Sequence, residues 1–85
     1  MAFDKETIVQ KLCQEISVIT RKDPSEVKPG ESLRDNGIDS MSFLEILLFI
    51  KSEWNIDYLN SGLPADAQRS VAALAEHVYE QQGDK

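Results

Sequence analysis

The sequence predicts an all-α fold, a small bundle of three principal helices and one short helix, and three observations carry that prediction. Three segments repeat their apolar residues at spacings of three and four, the period of a helix with one buried face. The connections between them run to about fifteen residues or more and are broken by prolines and glycines, a layout that favours a bundle without a sheet. The chain has 85 residues, 41% hydrophobic and 28% charged, an ordinary globular composition with room for one domain spanning residues 1–85.

The first helix is expected over residues 4–20. Ile8, Leu12, Ile16 and Ile19 recur on one face, which Val9 and Cys13 widen. Asp4 suits the N-cap, with Phe3 before it placed to fold back on the first turn. Cys13 is the sole cysteine, so it can build no internal disulfide, zinc cluster or Cys-x-x-Cys pair, and it serves as a small apolar filler.

A long connection follows. Asp23-Pro24-Ser25-Glu26 has the cap, first-turn proline and reciprocal acid of a single helical turn, and Pro29-Gly30 marks a chain reversal. Leu33 and Ile38 are the only apolar anchors between Glu31 and Asp39. A connection of this length in so small a domain is expected to serve a function at its end, Asp39-Ser40.

The second helix is expected over 40–54, with Ser40 suited to its N-cap and Asp39 equally able to be a simple cap. A projection at about 100° per residue puts Phe43, Ile46, Leu47, Ile50 and Trp54 in one core-facing arc. Met41, Leu44 and Leu48 fall on an adjoining arc, and Phe49 lies opposite with Ser42, Glu45 and Ser52. Between Asn55 and Gln68 only a short piece at 58–61 is expected. Ser70 then caps a last helix over 70–82, in which Val71, Leu74, Ala75, Val78 and Tyr79 form the stripe and Gly83 ends it, with the final residues frayed.

The formal charge of −6 and pI near 4.6 are the wrong sign for nucleic-acid phosphates or an anionic membrane surface, and fit basic protein partners. No stretch reaches the roughly 18 apolar residues of a membrane span, and the first residues lack the order of a signal peptide. A cytoplasmic, monomeric protein is the expectation.

Residues 35–40 suggest three chemistries. Aligning Gly37 with the glycine of a calcium-binding EF-hand puts Ser32 first and Phe43 where the bidentate glutamate belongs, so that reading fails. Ser40, Asp39 and His77 are the only residues for a hydrolytic triad, yet Met41-Ser42 follow the serine where the nucleophile elbow needs its glycine, and His77 reads as a helix-surface residue. With no general base beside Ser40 and no metal ligands, no enzyme is predicted. A serine at a helix N-terminus does suit an attached phosphodiester, because free N–H groups and the positive end of the helix dipole stabilise an anion.

At these residues the chain resembles the acyl and peptidyl carrier protein family. The resemblance rests on Asp35-Asn36-Gly37-Ile38-Asp39-Ser40-Met41, and extends upstream to Leu33 and downstream through Glu45, Trp54-Asn55-Ile56 and Ser70-Val71. It implies a four-helix bundle of acyl-carrier type. It also implies that Ser40 bears 4′-phosphopantetheine, added from coenzyme A by a phosphopantetheinyl transferase that Asp39 helps to position, and that the arm's thiol carries acyl or aminoacyl groups as thioesters. Met41, Leu44, Glu45 and Leu48 match the surface gripped by the loading and synthase enzymes of fatty-acid, polyketide, aminoacyl or D-alanyl pathways.

The chain departs from the fatty-acid members, whose second helix is rich in acids: Ser42, Lys51 and Ser52 stand where acids are common, and Phe49 where a small residue is usual. Asn36 replaces an apolar residue before the glycine, an exchange expected to loosen the loop's contact with the core. The alternative function is an unmodified protein of the same fold that binds a partner helix through Met41, Leu44 and Leu48.

Overall fold

The structure, a computed structural model, describes residues 4–83. Its helices are α1 (Lys5–Thr20), α2 (Ser40–Trp54), α3 (Tyr58–Ser61), α4 (Ala65–Gln68) and α5 (Val71–Gly83), with a 3-10 turn at Pro24–Glu26 and no strand among the described residues. The fold-back expected of Phe3 lies outside the described residues, as do residues 84–85 of the end expected to fray.

Each helix starts where local chemistry permits. Asp4 Oδ1 accepts the Thr7 N–H at 2.8 Å to cap α1. The turn at Pro24–Glu26 has the full reciprocal capping box between Asp23 and Glu26. Ser70 Oγ accepts the Ala73 N–H at 2.9 Å at the head of α5. α1 and α2 end on Arg21 and Asn55 in the left-handed conformation, each returning its N–H to a carbonyl of the last turn.

The core is continuous. Ile8, Leu12 and Ile16 of α1, Ile46, Leu47, Ile50 and Trp54 of α2, and Val71, Leu74, Ala75 and Val78 of α5 are all buried in one cluster. α1 packs most extensively on α5, with α2 leaning on α1 and α3, and α4 on α5. Val27, Leu33 and Ile38 bring the long connection down onto the same cluster, which seats the segment leading to Ser40. Exposed ion pairs join Lys5 to Glu76 at 2.8 Å and Lys11 to Glu53 at 2.9 Å, and screening by water leaves both minor beside this apolar interior.

Four side-chain expectations and one element need correction. Phe43 is half-buried, because it lies at the open end of the bundle beside Ser40. Phe49 is not on the solvent side: one step round the helix from Ile50, it is half-buried and meets the Trp54 ring edge-on at 5.7 Å, since so large an indole widens the core stripe sideways. Tyr79 is 43% exposed, because α5 buries only the face of Val71, Leu74, Ala75 and Val78 and Tyr79 sits about 100° round from Val78. His77 is half-buried rather than a surface residue and shares a 3.0 Å hydrogen bond with Tyr58. Helix α4 is additional to the expected short helix; four residues are too few to display a period.

Candidate functional site

The long connection delivers Asp39 and Ser40 to one end of the bundle through a tight turn. Gly37 N–H reaches the Arg34 carbonyl at 3.0 Å and Ile38 N–H reaches that of Leu33 at 3.0 Å, closing residues 33–38 on themselves. Gly37 adopts φ +97°, where a side chain is strained, and a Cβ there would meet Thr20 Cγ2 at 3.4 Å. Glycine therefore lets this turn lie against the end of α1.

Asp39, in extended conformation, is the N-cap of α2: its Oδ1 accepts the Ser42 N–H at 2.8 Å and its carbonyl accepts the Phe43 N–H at 2.8 Å. The Ser42 N–H holds the Asp39 carboxyl below its ordinary value of 3.8. Of the two caps the sequence allows, Ser40 and Asp39, the structure has Asp39. Capping needs a side-chain oxygen on the residue before the first helical one, and that residue is Asp39. Ser40 is the first residue of α2 itself, exposed, and its hydroxyl takes part in no hydrogen bond among the described residues.

The hydroxyl thus stands uncommitted at the positive end of a 15-residue helix whose first turn has no acidic side chain. Beside it lies a cleft of about 720 Å³, lined by buried Leu33 and Ile38, half-buried Phe43, and exposed Arg34, Asp39, Ser40 and Gln68. Arg34, a basic residue, is part of the same lining. An anionic group esterified to Ser40 would find helix N–H groups near it, and a flexible chain beyond it would have a groove lined by Leu33, Ile38 and Phe43 alongside; the residues present fit a phosphodiester-linked arm.

Down the adjoining face of α2, Met41 is 80% exposed and Leu44 and Leu48 are each 50% exposed, with Glu45 exposed between them. Spaced at three and four, the three apolar residues form a stripe running away from Ser40. The structure therefore brings together Asp39, Ser40, Met41, Leu44, Glu45 and Leu48, the residues singled out from the sequence. His77 lies apart from them, in a second cleft with Tyr58. Burial pushes the Cys13 thiol up, in keeping with a filler.

Sequence reasoning missed two features of the site, and misjudged a third. Arg34 and Gln68 line the cleft although they are 34 positions apart in the chain, and nothing in the local sequence of either marks that meeting. Asn36 does not loosen the loop. It is 4% exposed, and its side chain makes four hydrogen bonds to the main chain of Lys28, Glu31 and Ser32, a polar anchor where an apolar one was expected.

The sequence matches the family model described as a phosphopantetheine attachment site over residues 10–78, which spans α2 entire and most of α1 and α5. No curated protein matches the chain.

Proposed function

Because the chain belongs to the phosphopantetheine attachment-site family, we propose that Ser40 is the residue that bears the arm, and that the protein carries acyl or aminoacyl groups as thioesters between enzymes of a fatty-acid, polyketide or related biosynthetic pathway. Proteins of this family are carriers and not catalysts; their cofactor is covalent 4′-phosphopantetheine, set in place by a phosphopantetheinyl transferase. The arm, when attached, supplies a terminal thiol for thioester exchange.

The observation that carries the assignment to Ser40 is an exposed hydroxyl, free of hydrogen bonds within the described residues, on the first residue of α2. Asp39 holds the first turn in shape through the Ser42 N–H and precedes Ser40 directly, which is the place proposed for its part in transferase recognition. Met41, Leu44 and Leu48, with Glu45 beside them, offer partner enzymes an apolar stripe that begins at the attachment point. No helix among the described residues is long and apolar enough to cross a membrane. A monomeric carrier that works in the cytoplasm and meets its partners there belongs to the same proposal.

Incubation with coenzyme A and a broad-specificity transferase, followed by intact-mass and peptide analysis, tests the assignment. One phosphopantetheine is expected on the Ser40 peptide and none on Ser40→Ala. Modification persisting in Ser40→Ala, or a wild type whose mass does not change, would overturn it. Ser40→Ala should fold with its stability within about 0.5 kcal/mol of wild type, because Asp39 and not Ser40 supplies the cap.

A further inference from the structure

We infer that Asn36 is a positioning residue for modification of Ser40, a conclusion that rests on the reading of Ser40 as the attachment site. Buried under the connection, it locks the segment entering α2 onto a turn that is itself bonded to the head of α5.

Asn36 Oδ1 accepts the Lys28 N–H at 2.8 Å. Its Nδ2 donates to the carbonyls of Ser32 at 2.8 Å, Lys28 at 3.0 Å and Glu31 at 3.3 Å. Its own N–H reaches the Ser32 and Leu33 carbonyls at 3.1 Å, and its carbonyl accepts from Lys22 Nζ at 3.4 Å. Both polar atoms of this buried amide are therefore satisfied, and every partner of the side chain is main chain, so what it fixes is the path of the backbone.

The turn it grips is anchored in its own right. Val71 N–H donates to the Glu31 carbonyl at 3.0 Å and Ala72 N–H to that of Pro29 at 2.9 Å, so the first amides of α5 find their acceptors in this connection. Hydrogen bonds thus run from α5 through residues 28–32 to Asn36, and from there Gly37, Ile38 and Asp39 lead to Ser40. Leu33 and Ile38 also hold the segment down, but apolar burial has no direction and tolerates sliding. Hydrogen bonds fix position. The loop residues Arg34, Gly37, Ile38 and Asp39 line the cleft beside Ser40, so an enzyme reaching that hydroxyl meets loop and helix together. A loop set loose must be ordered again at each encounter, a cost that falls on binding.

The test is the steady-state kinetics of a transferase on the wild type, Asn36→Leu and Asn36→Ser, with coenzyme A saturating and the temperature below each variant's unfolding transition. Asn36→Leu keeps the bulk and removes all four side-chain bonds; Asn36→Ser removes the bulk and cannot span the same carbonyls. For each folded variant the expected result is a KM for the carrier raised about ten-fold, kcat changed much less, and faster amide exchange at Gly37 and Ile38. A folded variant modified with wild-type KM would overturn the positioning role, since loss of global stability alone leaves the KM of the folded protein unmoved. Amide exchange in the wild type decides the matter should neither variant fold: slow exchange of the Lys28 N–H supports the anchor, and exchange at the rate of an exposed, unbonded amide overturns it. A wild type left unmodified would instead remove the reading of Ser40 on which the inference stands.

Discussion

Tyr58 Oη and His77 Nδ1 lie 3.0 Å apart, a hydrogen bond that joins the four-residue helix α3 to the middle of α5. A helix of one turn cannot persist by its own hydrogen bonds, so α3 depends on what its side chains meet. Tyr58 buries its ring in the core and spends its hydroxyl on His77. Tyr58→Phe should keep the packing and lose the bond, at a cost of about 0.5–1.5 kcal/mol in urea denaturation. A double-mutant cycle with His77→Ala should return a coupling of similar size, and none if the bond does not form in solution.

Ile46 is fully buried at the centre of α2, among side chains of α1 and α5 in the same cluster. Ile46→Ala should lower stability by about 2–5 kcal/mol, a large share of what a small domain has. A loss below about 0.5 kcal/mol in chemical denaturation would mean that the face of α2 turned to the core is not the one described.

Acid should destabilise the fold through its caps. Asp4, Asp23, Asp39 and Asp57 each accept hydrogen bonds at the start of a helical segment, which hold their carboxyls below the ordinary 3.8; for Asp39 the main cause is the Ser42 N–H, for Asp57 the Asn60 N–H. Such groups bind protons more weakly folded than unfolded, so the stability they confer is complete above about pH 4 and is lost as pH falls through their folded values. Glu15 acts in the opposite sense: burial, then Glu45 and Glu53, hold its carboxyl above 4.5, and it gains on protonation. Four caps against one glutamate leave a net loss. Urea midpoints at pH 7 and at about pH 3 should show it, and Asp39→Asn, which still accepts a hydrogen bond but does not titrate, should fall less between the two.

On the partner face, apolar contact should outweigh charge. Leu44 and Leu48 are half covered in the free protein, so completing their burial is worth roughly 1 kcal/mol each, about five-fold in Kd. Lys51 lies 3.6 Å from Asp57, and Ser42 and Ser52 are neutral, which leaves this helix a weak attractor for a basic partner. Titrations of the modified carrier with an enzyme of its own pathway should find Leu44→Ala or Leu48→Ala more damaging than Glu45→Gln, and only a modest effect of added salt. Steep salt dependence with silent leucine changes would show an electrostatic interface instead.

The three principal helices were legible in the sequence because their signals are local. Ile8, Leu12 and Ile16, or Val71, Leu74 and Val78, declare a buried face through spacing alone, and Asp4, Asp23 and Ser70 declare helix starts through one side chain and the next turn. The meeting of Asp39, Ser40 and the Met41, Leu44, Leu48 stripe was legible for the same reason: adjacency in sequence on a helix guarantees adjacency in space. Which of Asp39 and Ser40 caps α2 was not, since either residue type can cap and a shift of one residue in the helix start decides it.

What only the tertiary structure decided are the relations between segments that the chain's reversals bring together. An asparagine before a glycine looks like a loop residue wherever it stands; that Asn36 is buried and bonded to Lys28, Glu31 and Ser32 depends on how residues 28–38 double back beneath α5. The same holds for Tyr58 with His77, for Phe49 with Trp54, and for Arg34 and Gln68 on either side of the cleft. The sequence by itself determined which residues could form helices and that one serine, Ser40, stands at a helix start after an aspartate, because periodicity and capping act within a few residues. The placement of that serine came from the fold, because a hydrogen bond between distant segments exists only once the burial of a shared core has brought them within about 3 Å of each other.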